Sequence, residues 1–324
     1  MTAVEVAIAF VRVDASQNPN ASQRLDGDPA TGYFKSMVVA FASFRRFDAG
    51  LSLVLITNAP APPPFAEQLE RLGVQTRITS FEHRPPEGFS DRFVASLFLL
   101  DALKALNGDI NLIVDPDVLC VRALDDLINV VDETVGVLPI DYSVTHNING
   151  ISRQQAGELH GLLGEPIENP EHYGGEVCVI PRQHLAETID RCERAWLLAL
   201  SRDSMGLSKF TTEELVLSFA FRGVPRTVIG SFAKRIWTAH RLRQVDGREN
   251  ELTIWHLPAE KDRGFSALYV KAIDRASWFW SAQNSEFVYM AGKVMGLHHR
   301  SLRRVALDTA GPAVHALRQV SRRR

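Results

Sequence analysis

The sequence predicts an α/β fold built from parallel βα units around a sheet buried on both faces. Three observations carry that prediction. Short apolar runs alternate with stretches of helical spacing through the first two-thirds of the chain. The runs are near-continuously apolar, as strands covered on both faces are. The turn residues fall between the runs rather than inside them.

The elements follow in order. Val4 to Val13 (VEVAIAFVRV) reads as a buried strand and leads into a polar loop, 14–31. Tyr33 to Phe47 places Phe34, Met37, Val38, Phe41 and Phe44 on one helical face. LSLVLIT, 51–57, is a second strand, stopped by APAPPP. Phe65 to Leu72 reads as a short helix closed by Gly73, and VQTRITSF, 74–81, as a third strand. Ser90 suits the N-cap of a helix over 91–106. The turn NGD, 107–109, then opens the strand INLIV, 110–114. TVGVLPI, 134–140, and EVCVIP, 176–181, are two further strands. From about residue 231 the character changes, with Trp237, Trp255, Trp278 and Trp280 among many arginines. The stretch 298–324 holds His298, His299 and seven arginines against one acid, Asp308.

Composition excludes several classes. A chain of 324 residues, 45% hydrophobic and 23% charged, is globular and large enough for about two domains. A formal charge of −2 argues against a broadly basic nucleic-acid binder. Cys120, Cys178 and Cys192 are odd in number and far apart, which favours core thiols in a reducing compartment. MTAVEVAIAFVRVD lacks the basic start of a signal peptide, and no apolar run is long enough to span a membrane. A cytoplasmic protein is expected. No GxGxxG follows the first strand and no GxxxxGK[ST] occurs, so dinucleotide and P-loop sites fail where they belong.

The segment that carries chemistry is Asn111 to Arg122, NLIVDPDVLCVR. An apolar strand runs into Asp115-Pro116-Asp117. In extended chain, residues two apart project to the same side. Pro116 cannot donate to a central ladder, so the strand leaves the sheet there. Two carboxylates are thus presented at a strand's carboxyl end, where open α/β sheets bind ligands. Acids that close repel unless a cation neutralises them. Mg²⁺ or Mn²⁺ typically takes one or two carboxylates plus substrate phosphates.

With these residues the chain resembles the GT-A glycosyltransferases, above all the glycogenin-like and lipopolysaccharide galactosyltransferase group. The resemblance spans roughly residues 4–262 and rests on SDRFVASLFLLDAL, IVDPDVL, YGGEVCVIPR and TIWHLPAEK. It implies a mixed, mostly parallel sheet flanked by helices, as a catalytic domain over 1–262. A basic helical extension over 263–324 follows. It implies a metal-dependent transfer of a sugar from a nucleotide-diphosphate donor, such as a UDP- or GDP-sugar, to a hydroxyl acceptor, glycan or lipid-linked. Asp115, Asp117 and His256 would hold Mn²⁺ or Mg²⁺. Lys261 and Arg92 would meet the diphosphate, and Asp14 the base or ribose. Tyr173, Gly174 and Gly175 would lie under the donor sugar, where Gly174-Gly175 replaces the family's usual Asn or Ser before Gly.

Two further groups join the candidates. Glu213 and Glu214, in KFTTEELVLSFAF, either occupy the first turn of a helix capped by Thr211 or Thr212 or act on the acceptor hydroxyl. His146, Asn147 and Asn149 lie in a polar loop that suits a hydroxyl-rich ligand. The basic tail suits peripheral attachment to an anionic membrane.

Rival functions fit less well. Phosphatases of the haloacid-dehalogenase type place Asp-x-Asp on the first strand, whereas here it follows about the fourth. A nucleotidyltransferase of related fold would carry a Gly-rich basic loop after the first strand, and DASQNPNASQR lacks it. A glycosidase needs two carboxyls flanking a sugar bond, and no such pair stands out. A non-catalytic nucleotide- or carbohydrate-binding protein remains as the other alternative.

Overall fold

Residues 3–13, 30–90, 93–239 and 242–298 are described by the computed structural model. The strands are β1 (Val4–Phe10), β2 (Ser52–Thr57), β3 (Val74–Ile78), β4 (Ile110–Val114), β5 (Val118–Cys120), β6 (Val135–Val137), β7 (Val177–Pro181), β8 (Arg226–Val228), β9 (Ala233–Arg235) and β10 (Ile254–His256). The helices are α1 (Thr31–Phe47), α2 (Phe65–Arg71), α3 (Phe98–Leu103), α4 (Asp125–Val130), α5 (Arg153–Leu162), α6 (Arg182–Ser204), α7 (Glu213–Arg222), α8 (Gly264–Ala272), α9 (Trp278–Ser281) and α10 (Asn284–Val294).

Seven strands form one sheet in the order β3-β2-β1-β4-β7-β6-β8, and β5-β10-β9 form a second. β1 to β4 run parallel, as the βα pattern predicts. β7 is antiparallel to both its neighbours, so the sheet is mixed. Alternation along each strand divides the core. Val6, Ile8, Leu112 and Val114 pack on one face with α1, and Ala7, Ile113, Cys178 and Ile180 on the other with α3, α6 and α7. All three cysteines are free and buried.

Phe265, Leu268, Phe279 and Phe287 of the last helices join the α1 side of that core. Arg46 of α1 donates to the carbonyls of Phe279 and Trp280 at 2.7 and 2.9 Å. No helix among the described residues is long and apolar enough to cross a membrane.

Two expectations change. The helix expected over 91–106 is a 3₁₀ turn, Val94–Leu97, followed by the short α3. Phe93, at φ 72°, cannot continue a right-handed helix backwards, and the Ser96 hydroxyl bonds its carbonyl at 2.8 Å. Thr212 stands at the N-cap of α7 with no side-chain cap bond, and the Thr211 hydroxyl donates to the Asn149 carbonyl instead. Thr211 therefore ties the polar loop to this helix rather than capping it.

Candidate active site

Strand register brings the site together. β4 ends beside the start of β7, with Val114 opposite Val177. The Asp115 amide then donates to the Glu176 carbonyl at 2.9 Å, which holds the two segments abreast as the chain leaves the sheet. Beyond Pro116, β5 pairs with β10, and Val118 faces His256. The Leu257 amide bonds the Asp117 carbonyl at 2.9 Å. In β9, Arg235 pairs with His256. Segments more than a hundred residues apart thus meet at one edge.

Among the described residues, Asp115, Asp117 and His256 are the group whose ligand atoms converge as metal ligands do, all within 4.8 Å of one another. His256 Nε2 lies 3.5 Å from Asp115 and 3.4 Å from Asp117. Lys261 Nζ is 3.1 Å from Asp117. The Asp117 side chain is wholly buried, and neither of its oxygens accepts a well-formed hydrogen bond. Lys261 and His256 meet its charge as ion pairs, and the hydrogen-bonding capacity left over suits a further cation. Two carboxylates and an imidazole suit Mn²⁺, so these residues fit a divalent metal.

The charges are strongly coupled. Burial opposes ionisation of Asp117, yet Lys261 and His256 hold its carboxyl well below the usual range. Burial likewise opposes a charged His256, but Asp117 and Glu176 push its imidazole up to about 9. Asp115, with half its side chain exposed, is pushed up by desolvation and by Asp117, against the pull of His256.

A cleft of about 520 Å³ opens over this group. Phe10, Val11 and Tyr33 line one wall, and Glu213, Glu214 and Asn149 another. Glu213 and Glu214 are adjacent carboxyls in opposite states. Burial and the charge of Glu214 push Glu213 up to about 8. Glu214, though buried too, is held below the usual range by His172 and Arg235. Its oxygens meet Arg235 at 2.8 Å and the Asn149 amide at 3.1 Å. Environments that push paired carboxyls apart are how acid and base roles are divided in active sites.

The other candidates lie partly beside this cleft and partly away from it. Tyr173 is buried, and its hydroxyl donates to Glu171. Gly174 packs against the Glu176 carboxylate and Gly175 against Glu213. His146 and Asn147 are exposed, and the Asn147 side chain accepts from the Gly150 amide. Asp14 and Arg92 lie outside the described residues. Sequence reading missed Glu176, Arg235, Ser96 and Tyr33. Only Glu176 left a signal, a charge at the head of an otherwise apolar strand. A second cavity, of about 720 Å³, lies on the Trp255 side of β10, lined also by Phe47, Val288 and Tyr289.

No family model and no curated protein matches the chain. Solved structures do. The bifunctional glycosyltransferase WbbM, in its apo form, is 13% identical over 89% of this chain and 51% of its own, with a TM-score of 0.53. This chain thus spans about half the length of WbbM. The galactosyltransferase LgtC, in complex with donor and acceptor sugar analogues, is 13% identical over 90% of this chain and 96% of its own, with a TM-score of 0.49. The glycosyltransferase GlyE of Streptococcus pneumoniae is 12% identical over 90% and 65%, with a TM-score of 0.48. At such identity the likeness is one of architecture alone, and that architecture is a GT-A-like mixed α/β fold.

Proposed function

We propose that the protein is a metal-dependent glycosyltransferase that moves a sugar from a nucleotide-diphosphate donor to a hydroxyl acceptor. The convergence of Asp115, Asp117, His256 and Lys261 at the carboxyl edge of the sheet carries the reading. Breaking the anomeric bond leaves a nucleoside diphosphate whose charge must be met. Asp115, Asp117 and His256 would hold a divalent cation, Mn²⁺ in this reading, which would supply that neutralisation.

The chain's own groups do the rest. Lys261 offers an ammonium to the phosphate oxygens. Tyr33 and Phe10 give the nucleoside an apolar and aromatic wall. Glu213, neutral near pH 7, donates a hydrogen bond to the sugar or the acceptor. Glu214, ionised and fixed by Arg235 and Asn149, offers negative charge to the electron-poor anomeric carbon or accepts the acceptor's proton. The acceptor class in this reading is a glycan or lipid-linked sugar. The site is cytoplasmic, with the basic C-terminal segment meeting an anionic membrane. Residues 299–324 of that segment lie outside the described residues.

The test is a panel of UDP- and GDP-sugars, with donor hydrolysis and transfer measured in Mn²⁺ and in chelator. Turnover of one donor in Mn²⁺ that chelator abolishes is the expected result. Turnover that persists in chelator would remove the metal role, and no turnover or binding with any donor would remove the function.

A further inference from the structure

Glu176 has no place in the ligand set, and its surroundings are costly. It is 2% exposed, at the mouth of a strand that is otherwise apolar. A buried carboxylate persists only where its charge is met. Arg235 meets it with two parallel bonds, both 2.7 Å. That arrangement leaves Glu176 Oε1 3.7 Å from His256 Nδ1. His256 Nδ1 is itself buried and makes no hydrogen bond. On its other edge, Nε2 of the same ring faces Asp115 and Asp117.

The backbone makes room for this carboxylate. A Cβ on Gly174 would stand 1.9 Å from Glu176 Oε2, so no other residue fits there while Glu176 keeps its place. Gly174 and Glu176 are one device, in which a missing side chain makes room for a buried acid.

We propose that Glu176 is the positioning residue of the metal centre, accepting the Nδ1 proton of His256 and so aiming Nε2 between Asp115 and Asp117. The inference rests on the reading of those three residues as metal ligands. A small movement of the ring closes 3.7 Å to the ordinary length of a charge-assisted bond, about 2.8 Å. The arrangement is the carboxylate–histidine–metal pattern, in which the outer carboxylate fixes the tautomer and orientation of the ring. Arg235 holds that carboxylate and also bonds Glu214. The same guanidinium therefore spaces the metal side of the cleft from the Glu213–Glu214 side.

The competing account is that Glu176 and Arg235 merely tie β7 to β9. Metal affinity separates the two. Mn²⁺ binding to the full chain is measured by titration calorimetry, with unfolding of each variant followed in chelator. Glu176→Gln is expected to weaken Mn²⁺ binding about 10- to 100-fold. In a His256→Ala background the same change is expected to add nothing further. Equal loss in both backgrounds, or Mn²⁺ affinity unchanged in Glu176→Gln, overturns the proposal. If Glu176→Gln does not fold, Glu176→Asp keeps the charge for Arg235 but falls short of His256. It is expected to weaken Mn²⁺ binding at unchanged stability in chelator, and wild-type affinity overturns the inference. Wild-type protein that binds no Mn²⁺ overturns the metal-site reading itself, which is a different result from a wild type that binds and a variant that binds equally.

Discussion

Asp115 and Asp117 sit two residues apart and live in different environments. Asp117 is wholly buried against Lys261 and His256, whereas Asp115 keeps half its side chain exposed. Each is expected to be needed for Mn²⁺ binding, but their effects on folding should diverge. Asp117→Asn leaves Lys261 and His256 facing a neutral group, and breaking a buried pair costs about 3–5 kcal/mol. Asp115→Asn removes a charge that desolvation and Asp117 together disfavour more than His256 favours it, so stability should hold or rise. Calorimetry for the metal and urea unfolding in chelator check this, and equal destabilisation by both changes would show the two environments to be alike. Glu213 gives a pH dependence. Its carboxyl titrates at about 8 in the fold, against an ordinary 4.5. The folded state therefore holds a proton that the unfolded chain releases, and stability is lost as pH rises between those values. Glu213→Gln should flatten this part of the profile. An unfolding profile with the same slope in wild type and variant would mean that Glu213 is ionised in the fold.

Scale matters to what could be read in advance. β2 and β4 each carry five buried residues in sequence and β1 four, and all three were legible as strands, as was α1 with its buried aromatic face. The strands that assemble the site, β5, β9 and β10, have three residues each, too few for any period to show. The acidic motif was legible because both acids lie on one short segment, and His256 and Lys261 because family resemblance marked them. Arg235 left no trace and Glu176 only its charge ahead of an apolar strand, since their partnership exists only once β9 and the start of β7 reach the same edge. Local propensity can also point the wrong way. Gly157 lies inside α5, where Ala would ordinarily gain about 1 kcal/mol. A Cβ there would stand 2.4 Å from the Ile167 carbonyl and 3.0 Å from that of Glu168. Both are backbone atoms, and overpacking costs about 1–3 kcal/mol. The clash is expected to win, so Gly157→Ala should lower the melting temperature. A rise would show that the loop after α5 yields easily.

At the scale of the whole molecule two cavities compete as ligand sites, on opposite sides of β10. The larger, about 720 Å³, is mostly apolar, with Trp255 and Phe47, but Arg122, Glu249 and His298 line it too. The smaller, about 520 Å³, holds the carboxylates, His256 and Lys261. Volume favours the first, whose wall offers Arg122 and His298 to an anion. The second sets Arg235, His256 and Lys261 beside a carboxylate pair able to hold a metal, and that combination suits a metal-bound diphosphate better. The second also lies where the seven-stranded sheet hands over to β5-β10-β9, so a ligand there ties the two sheets together. A ligand that binds only the folded state at about 100 times its dissociation constant adds about 2.7 kcal/mol. That stabilisation should appear as slowed amide exchange where the ligand touches. With Mn²⁺ and a nucleoside diphosphate, protection is expected over 113–119, 213–216 and 254–261, with 284–298 unchanged. Chelator should abolish it. Protection confined to 284–298 would move the ligand site to the Trp255 side of β10 and leave Asp115, Asp117 and His256 without a substrate.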